Sequence, residues 1–239
     1  MAKFEKVNIL NYPIFFMTKE TKCPYLDNKS EKRLVTDLNN NPFLFDELSL
    51  SGLRRIENWM YRPSCSHCNE CKSYRININK FSLTKSLKRI KKNNLEVSSL
   101  LKKNLASKEY YDLFSTYQNK RHTGSSMSNM TFEDFKSMIE CSPINTQLYE
   151  FRNKEKKLIG LMLFDYQKDG LSAVYSFYDV KFEKNGLGNF MILELIELAK
   201  ILNLNYVYLG YYIKNASRMN YKLKFKQGEL YSDGKWNKI

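Results

Sequence analysis

From Ser107 onward, apolar residues recur at regular spacing. Ser107 is the expected N-cap of a helix running through Arg121, and Thr131 with Asp134 forms a capping-box pattern ahead of Phe135, Met138 and Ile139. Three strands are predicted next, over 147–151, 157–164 and 171–178. Lys168-Asp169-Gly170 joins the last two as a hairpin-type turn, so an antiparallel meander is expected. Gly186-Leu187-Gly188 then opens a helix over 189–202, whose polar residues Asn189, Glu194, Glu197 and Lys200 leave only a narrow solvent stripe. That helix is expected to be largely buried. The β-branched and aromatic run 206–212 reads as a further strand, followed by a basic tail read as helical.

Residues before this region have another character. They hold most of the prolines (Pro13, Pro24, Pro42, Pro63), four of the five cysteines, and short strand-like pieces such as 74–78. This half reads as small, irregular and held by something other than a large core. The pattern therefore predicts an α+β protein of two parts, residues 1–103 and 104–239, without internal repeats.

With 239 residues, 43% of them hydrophobic and 27% charged, a soluble globular protein is expected. Lys3 and Lys6 precede a short apolar run that Asn11 and Pro13 interrupt, so no signal peptide is read. No apolar stretch approaches the ~20 residues that would span a bilayer, and a cytoplasmic location is expected. The net charge of +14 points to nucleic acid, an anionic membrane surface or acidic proteins as partners. Codon bias toward Lys, Asn, Ile, Tyr and Phe is a competing explanation. Its effect would be uniform, yet residues 72–103 carry ten Lys or Arg against one acid, Glu96. Within them, Lys85, Lys88, Arg89, Lys91 and Lys92 share a helix-like segment with Leu83, Leu87 and Ile90. One face would dock on the protein, and the other would offer phosphate contacts to tRNA or remain a solvated charged face.

Cys65, Cys68 and Cys71 form C-x2-C-x2-C, and Cys23 lies upstream in Cys23-Pro24-Tyr25. Such spacing lets thiolates converge on one zinc ion or one iron–sulfur cluster, and softness alone does not choose between them. His67 is an alternative ligand, and the opposing reading is ordinary buried thiols. Cys141 reads as a small core hydrophobe.

Glu183-Lys184-Asn185-Gly186-Leu187-Gly188 ahead of a helix resembles the R-x-x-G-x-G/A loop of the acyl-CoA N-acyltransferases (GNAT). A meander before it and a strand after it match that family's order. Glu183 stands where that family usually has a base facing coenzyme A phosphates, which argues against coenzyme A as donor. The bland reading of Gly186 and Gly188 is a strand-to-helix turn.

Across nearly its whole length the chain resembles bacterial aspartate/glutamate leucyltransferases, relatives of the arginyl-tRNA–protein transferases. The residues that carry this are Cys23-Pro24-Tyr25-Leu26, Gly52-Leu53-Arg54-Arg55, Tyr61-Arg62-Pro63, Lys120-Arg121-His122, 171–179, Tyr208-Leu209-Gly210-Tyr211 and Met219-Asn220-Tyr221-Lys222. Tyr212, where Trp is expected, and Arg218, where Lys is expected, depart from the pattern. The resemblance implies a small cysteine-bearing N-terminal domain followed by a GNAT-like domain with a mixed sheet flanked by helices. It implies leucine transfer from leucyl-tRNA to N-terminal Asp or Glu of proteins, marking them for degradation. No cofactor is needed for that chemistry, because the ester is already activated and requires chiefly a juxtaposed neutral amine.

Asp179 is the candidate to orient the incoming ammonium and take its proton, with Tyr178 and Tyr211 as hydrogen-bonding partners of the reacting groups. For both tyrosines, core packing is the alternative. His122 is read as either a cap or a catalytic group. Arg54, Arg55 and Arg62 are the candidates for the acceptor's carboxylate. Rival functions are arginyl transfer, acetyl-CoA N-acetylation, and a non-catalytic zinc-bearing RNA-binding module.

Overall fold

The computed structural model describes residues 13–239. The stretch from Lys3 to Asn11, read above as no signal peptide, lies outside the described residues.

The first part of the chain contributes β1 (Phe16–Met17), β2 (Thr21–Lys22), β3 (Ser30–Glu31), β4 (Arg33–Asp37), α1 (Phe45–Leu50), β5 (Arg54–Ile56) and β6 (Trp59–Pro63). Strands β1-β4-β6-β5 form a small sheet over a core of Leu38, Phe45, Leu53 and Met60. Then come β7 (Lys72–Asn77), α2 (Lys85–Asn93), β8 (Ser98–Lys103), α3 (Lys108–Arg121), α4 (Phe132–Glu140), β9 (Thr146–Arg152), β10 (Leu158–Gln167), β11 (Gly170–Tyr178), α5 (Leu187–Ile201), β12 (Tyr206–Tyr212), β13 (Gly228–Ser232) and β14 (Lys235–Lys238). They build one eight-stranded mixed sheet in the order β14-β13-β7-β12-β11-β10-β9-β8. The large sheet therefore straddles the boundary expected at residue 103, with β7 inserted between β12 and β13 and β8 at an edge.

The expected meander is β9-β10-β11, antiparallel throughout. Residues on a strand alternate between faces, and β10 shows how both faces come to be buried. Met162 and Phe164 pack with α5 and α2, while Leu161 and Leu163 pack with Phe114 of α3 and with Phe135 and Ile139 of α4. Helices thus cover the sheet on both sides, and α5 buries Leu187, Phe190, Met191, Leu193, Leu195 and Ile196 almost completely. The predicted caps form: Ser107 Oγ accepts from the Tyr110 N–H, and Thr131 and Asp134 make a reciprocal capping box.

The tail differs from the expectation. A 3-10 segment, Ser217–Lys224, gives way to the β13/β14 hairpin, which pairs with β7. Asp233 and Gly234, with φ of 53° and 76°, make the tight turn, and Asp-Gly is the dipeptide such turns favour. Glu229 and Leu230 extend the ladder of β7, and Arg75 stacks 3.6 Å from the Tyr206 ring centroid and 4.2 Å from that of Trp236.

Candidate functional site where two strands part

Among the described strands, β11 and β12 are the one parallel pair, joined over Gly170–Ser172 and Tyr206–Tyr208 only. Both run on beyond that ladder, β11 to Tyr178 and β12 to Tyr212, so their backbones part at the C-terminal end of the paired segment. A bulge between Tyr208 and Tyr211, containing Gly210 at φ 76°, bends β12 there. Crevices at such strand ends are where open α/β sheets place ligands.

The small sheet inserts a side chain into this opening. Arg54 of β5, 8% exposed, donates from Nη1 to Ser172 Oγ at 3.2 Å and from Nη2 to the Ala173 carbonyl at 2.6 Å. Ala173 is the first residue of β11 past its ladder with β12, so the guanidinium takes up a carbonyl at the point where the two strands part. Arg55, its neighbour on an extended strand, must face the other way. There it is buried in a bidentate pair with Asp165, Nε to Oδ2 and Nη2 to Oδ1 both at 2.7 Å, and Thr146 Oγ1 also donates to Asp165 at 2.7 Å. The expectation that Arg55 reads a substrate carboxylate is thereby corrected: its fork is already filled, and it staples the small sheet to β10. Arg62 is exposed on β6.

Tyr211 and Lys222 line the same opening. The Tyr211 hydroxyl donates to the Tyr61 carbonyl at 2.8 Å, and its ring meets the Tyr61 ring edge to face at 5.8 Å. Burial raises both phenols' pKa values, so both remain donors. Tyr211 therefore fastens β12 to β6. Its carbonyl accepts from Nζ of Lys222, a residue 2% exposed. The Tyr74 hydroxyl of β7 donates to the carbonyls of Lys222 and Phe225, both at 2.9 Å, which holds the 3-10 segment against the sheet. Burial, reinforced by Arg54, pushes the Lys222 ammonium down to about 7. Among the described residues neither Arg54 nor Lys222 has a carboxylate as a hydrogen-bond partner. Neighbouring Tyr221 is pushed up to about 12, chiefly by burial.

At the far end of β11, Tyr178 packs 5.3 Å from the Tyr117 ring, and burial raises its pKa. Asp179 caps the 3-10 turn Val180–Asn185: its carboxylate accepts from the Lys181 N–H at 3.1 Å, and its own N–H donates to the Ile159 carbonyl at 2.8 Å. The glycines that follow are used for close packing. Gly186 is left-handed at φ 74°, and a Cβ there would lie 2.9 Å from Ile90 of α2; one on Gly188 would lie 2.9 Å from the Tyr178 ring. Glu183 pairs with Arg121 of α3, so its charge at the loop is compensated rather than bare. His122 C-caps α3 with its ring 5.5 Å from that of Tyr117, and burial, with Arg218 and Arg121, lowers its pKa.

Beside the opening, a groove of about 230 Å³ runs between residues 23–27 and 215–218, and a second of about 410 Å³ adjoins it near His67 and Glu70. Cys23 lines the first groove and Cys68 the second. Cys65 and Cys68 form a backbone bridge, and the Cys71 thiol is pushed up to about 12 by burial and by Cys23, Cys65 and Cys68. Among the described residues no three His, Cys, Asp or Glu side chains are close enough to form a metal-binding set. On the other flank, α2 stands as predicted. Thr84 caps it, Leu87 and Ile90 are buried, and Lys85, Lys88, Arg89 and Lys92 are exposed, with Lys91 half-buried and 3.9 Å from Glu197.

Lys222, Tyr61 and Asp165 were not singled out by the sequence as members of these clusters. Lys222 was legible only as part of a motif in a basic tail, since a buried lysine and an exposed one look alike in a string of letters.

Two family models match, arginine-tRNA-protein transferase, N terminus, over residues 21–89 and arginine-tRNA-protein transferase, C terminus, over residues 109–232. The chain belongs to this family, and it is accordingly an aminoacyltransferase; the reading as a non-catalytic module gives way. Its relatives include proteins named aspartate/glutamate leucyltransferase. That of Granulibacter bethesdensis is 38% identical over 227 residues, covering 94% of this chain and 85% of its own. Those of Dinoroseobacter shibae (36% over 239 residues, 95% and 84%) and Paramagnetospirillum magneticum (38% over 227 residues, 94% and 93%) are similar to the same extent. A solved structure, that of L-PGS from Bacillus licheniformis, has a TM-score of 0.48 at 12% identity over 60% of this chain and 46% of that one, too slight a likeness to bear on the fold.

Proposed function

We propose that this protein moves leucine from leucyl-tRNA to the α-amine of proteins that begin with Asp or Glu, marking them for degradation in the cytoplasm. The observation that carries the reading is the buried, carboxylate-free cation Arg54 at the parting of β11 and β12, in a chain whose relatives along almost its whole length bear the leucyltransferase name. Arg62 is the second candidate cation for the acceptor. The parting of the strands just ahead of the Gly186-Leu187-Gly188 turn and α5 supports the GNAT-like reading, with the aminoacylated 3′ end of tRNA entering where acyl-CoA would. The exposed cations of α2 suit the tRNA phosphates.

The chemistry asks for little beyond placement, because the aminoacyl ester is activated before it arrives. Asp179 holds the acceptor ammonium and takes its proton with the part of its carboxylate not engaged by Lys181, while the Tyr178 hydroxyl hydrogen-bonds the reacting ester. Tyr211 positions β12. The four thiols have the donor chemistry of a zinc or iron–sulfur site that would tie residue 23 to 65–71 without entering the reaction, although no three of the described side chains stand close enough to share one ion in this arrangement.

Purified protein should be offered leucyl- and arginyl-tRNA with peptides that begin with Asp, Glu, Lys or Arg. Leucine is expected on the Asp and Glu peptides; transfer from arginyl-tRNA alone would replace this reading by arginyl transfer. Asp179→Asn keeps the cap, since Asn caps as well as Asp, but removes the base, so turnover should fall by ~10²-fold or more. Wild-type turnover would remove Asp179 from the chemistry.

A further inference from the structure

Lys222 stands out for its burial. Lysine is almost never fully buried unless paired, yet this one is 2% exposed, and its Nζ meets only the Tyr211 carbonyl and, at 3.6 Å, the sulfur of Met219. Arg54, 8% exposed, is close enough to depress it further, and is itself matched only to a hydroxyl and a carbonyl. Two buried cations within electrostatic reach of each other, neither with a carboxylate as hydrogen-bond or ion-pair partner among the described residues, call for a partner that is negative.

We infer that Lys222 and Arg54 together read the side-chain carboxylate of the acceptor's N-terminal Asp or Glu, so that Lys222 is a specificity-determining residue. The inference rests on the function proposed above. Charge decides against the obvious alternative, that Lys222 is the base for the α-amine. An incoming ammonium would be a further cation beside Arg54, whereas a carboxylate is attracted by both and has oxygens enough for a guanidinium and an ammonium at once. Burial decides against a tRNA phosphate. A phosphodiester carries a sugar on either side and needs an open track like the exposed face of α2, while a carboxylate is a terminal group that enters a narrow site end first. The neighbouring groove, walled by Tyr25 and residues 215–218, opens to solvent a few residues before Lys222 along the chain. Tyr25 lies within electrostatic reach of both Tyr61 and Tyr221, the aromatic neighbours of the two cations.

Lys222's four-carbon stem also fits an acceptor class with two members. Asp and Glu differ by one methylene, and a flexible ammonium can follow the carboxylate to either depth where a rigid fork alone would favour one.

The test is transfer kinetics with paired peptides that begin with Asp or Asn, and with Glu or Gln, alongside a separate titration of leucyl-tRNA binding. In Lys222→Met the thioether replaces the buried stem without the charge, and the ratio of kcat/KM for Asp over Asn peptides should collapse by ~10²-fold, expressed largely in KM, with tRNA affinity unchanged. Lys222→Arg should keep the acidic preference while favouring one of Asp and Glu over the other. Lys222→Gln repeats the neutral case should the Met variant not fold. A preserved Asp-over-Asn ratio in the neutral variants overturns the inference, as does a loss of tRNA affinity without change in the ratio, which would assign the site to a phosphate. Wild-type protein that fails to place leucine on Asp peptides at all would instead defeat the underlying function.

Discussion

Replacing Lys222 by Met should change how stability depends on pH. In the fold, Nζ faces Arg54 from β5, the Tyr211 carbonyl from β12, and Met219 and the Tyr221 ring, 5.6 Å away, from its own segment. Burial first, and Arg54 second, bring its pKa from the ordinary 10.5 to about 7. At ~1.4 kcal/mol per pH unit, holding the charged form in the fold costs roughly 5 kcal/mol. The sign follows from proton binding. Below about pH 7 both folded and unfolded chains carry the proton, and the whole cost is present. As pH rises toward 10.5 the unfolded chain keeps a proton that the folded chain has released, so stability climbs. Met cannot titrate, and every other group is common to both proteins, so their difference isolates this lysine. Denaturant unfolding across the range should show the variant's advantage over wild type falling by ~4 kcal/mol between about pH 6 and pH 10. The Tyr211 carbonyl left without its donor costs the variant ~1–3 kcal/mol at every pH, an offset that shifts both ends alike. A difference that stays constant within ~0.5 kcal/mol over that span would refute the reasoning.

Other consequences are simpler to read. Arg55→Met strands the Asp165 carboxylate in the interior and should cost ~3–5 kcal/mol, while adding Asp165→Leu should restore most of it; denaturation in which the two losses merely add would show that the pair is not coupled. Changing Lys88, Arg89, Lys91 and Lys92 of α2 to Ala keeps the helix, since Ala is its best former, and should weaken tRNA binding and flatten its salt dependence. Fluorescence titrations with an unchanged slope would leave these charges as a solvated face. Metal and acid-labile sulfide should be found in protein prepared aerobically or anaerobically if Cys23, Cys65, Cys68 and Cys71 hold a centre, and full activity in metal-free protein from both preparations would dismiss it.

A buried uncompensated cation is kept at a cost that any apolar residue would avoid, and that cost makes sense where a ligand supplies the missing charge. The small sheet has a corresponding role. By stapling itself through Arg55 and inserting Arg54, it completes an opening that β11 and β12 make between them but do not fill.

What the sequence determined by itself is whatever short-range physics controls. The caps at Ser107 and Thr131, the meander turned at Lys168-Asp169, the buried helix after Gly186 and the amphipathic α2 all depend on residues a few places apart, and all are present. The family was legible for the same reason, since motifs are local strings. Tertiary structure alone decided what adjacent identical letters do. Arg54 and Arg55 are neighbours of one type, yet strand alternation sends one into the opening and the other into a closed pair with Asp165, 110 residues away. It also decided that Lys222 is buried while Lys224 is exposed, because a 3-10 segment pinned by Tyr74 turns one inward. It brought β7 and β13 together as well, a pairing across some 150 residues. Burial and long-range pairing are properties of neighbours in space, and a single chain of letters does not record which residues those will be.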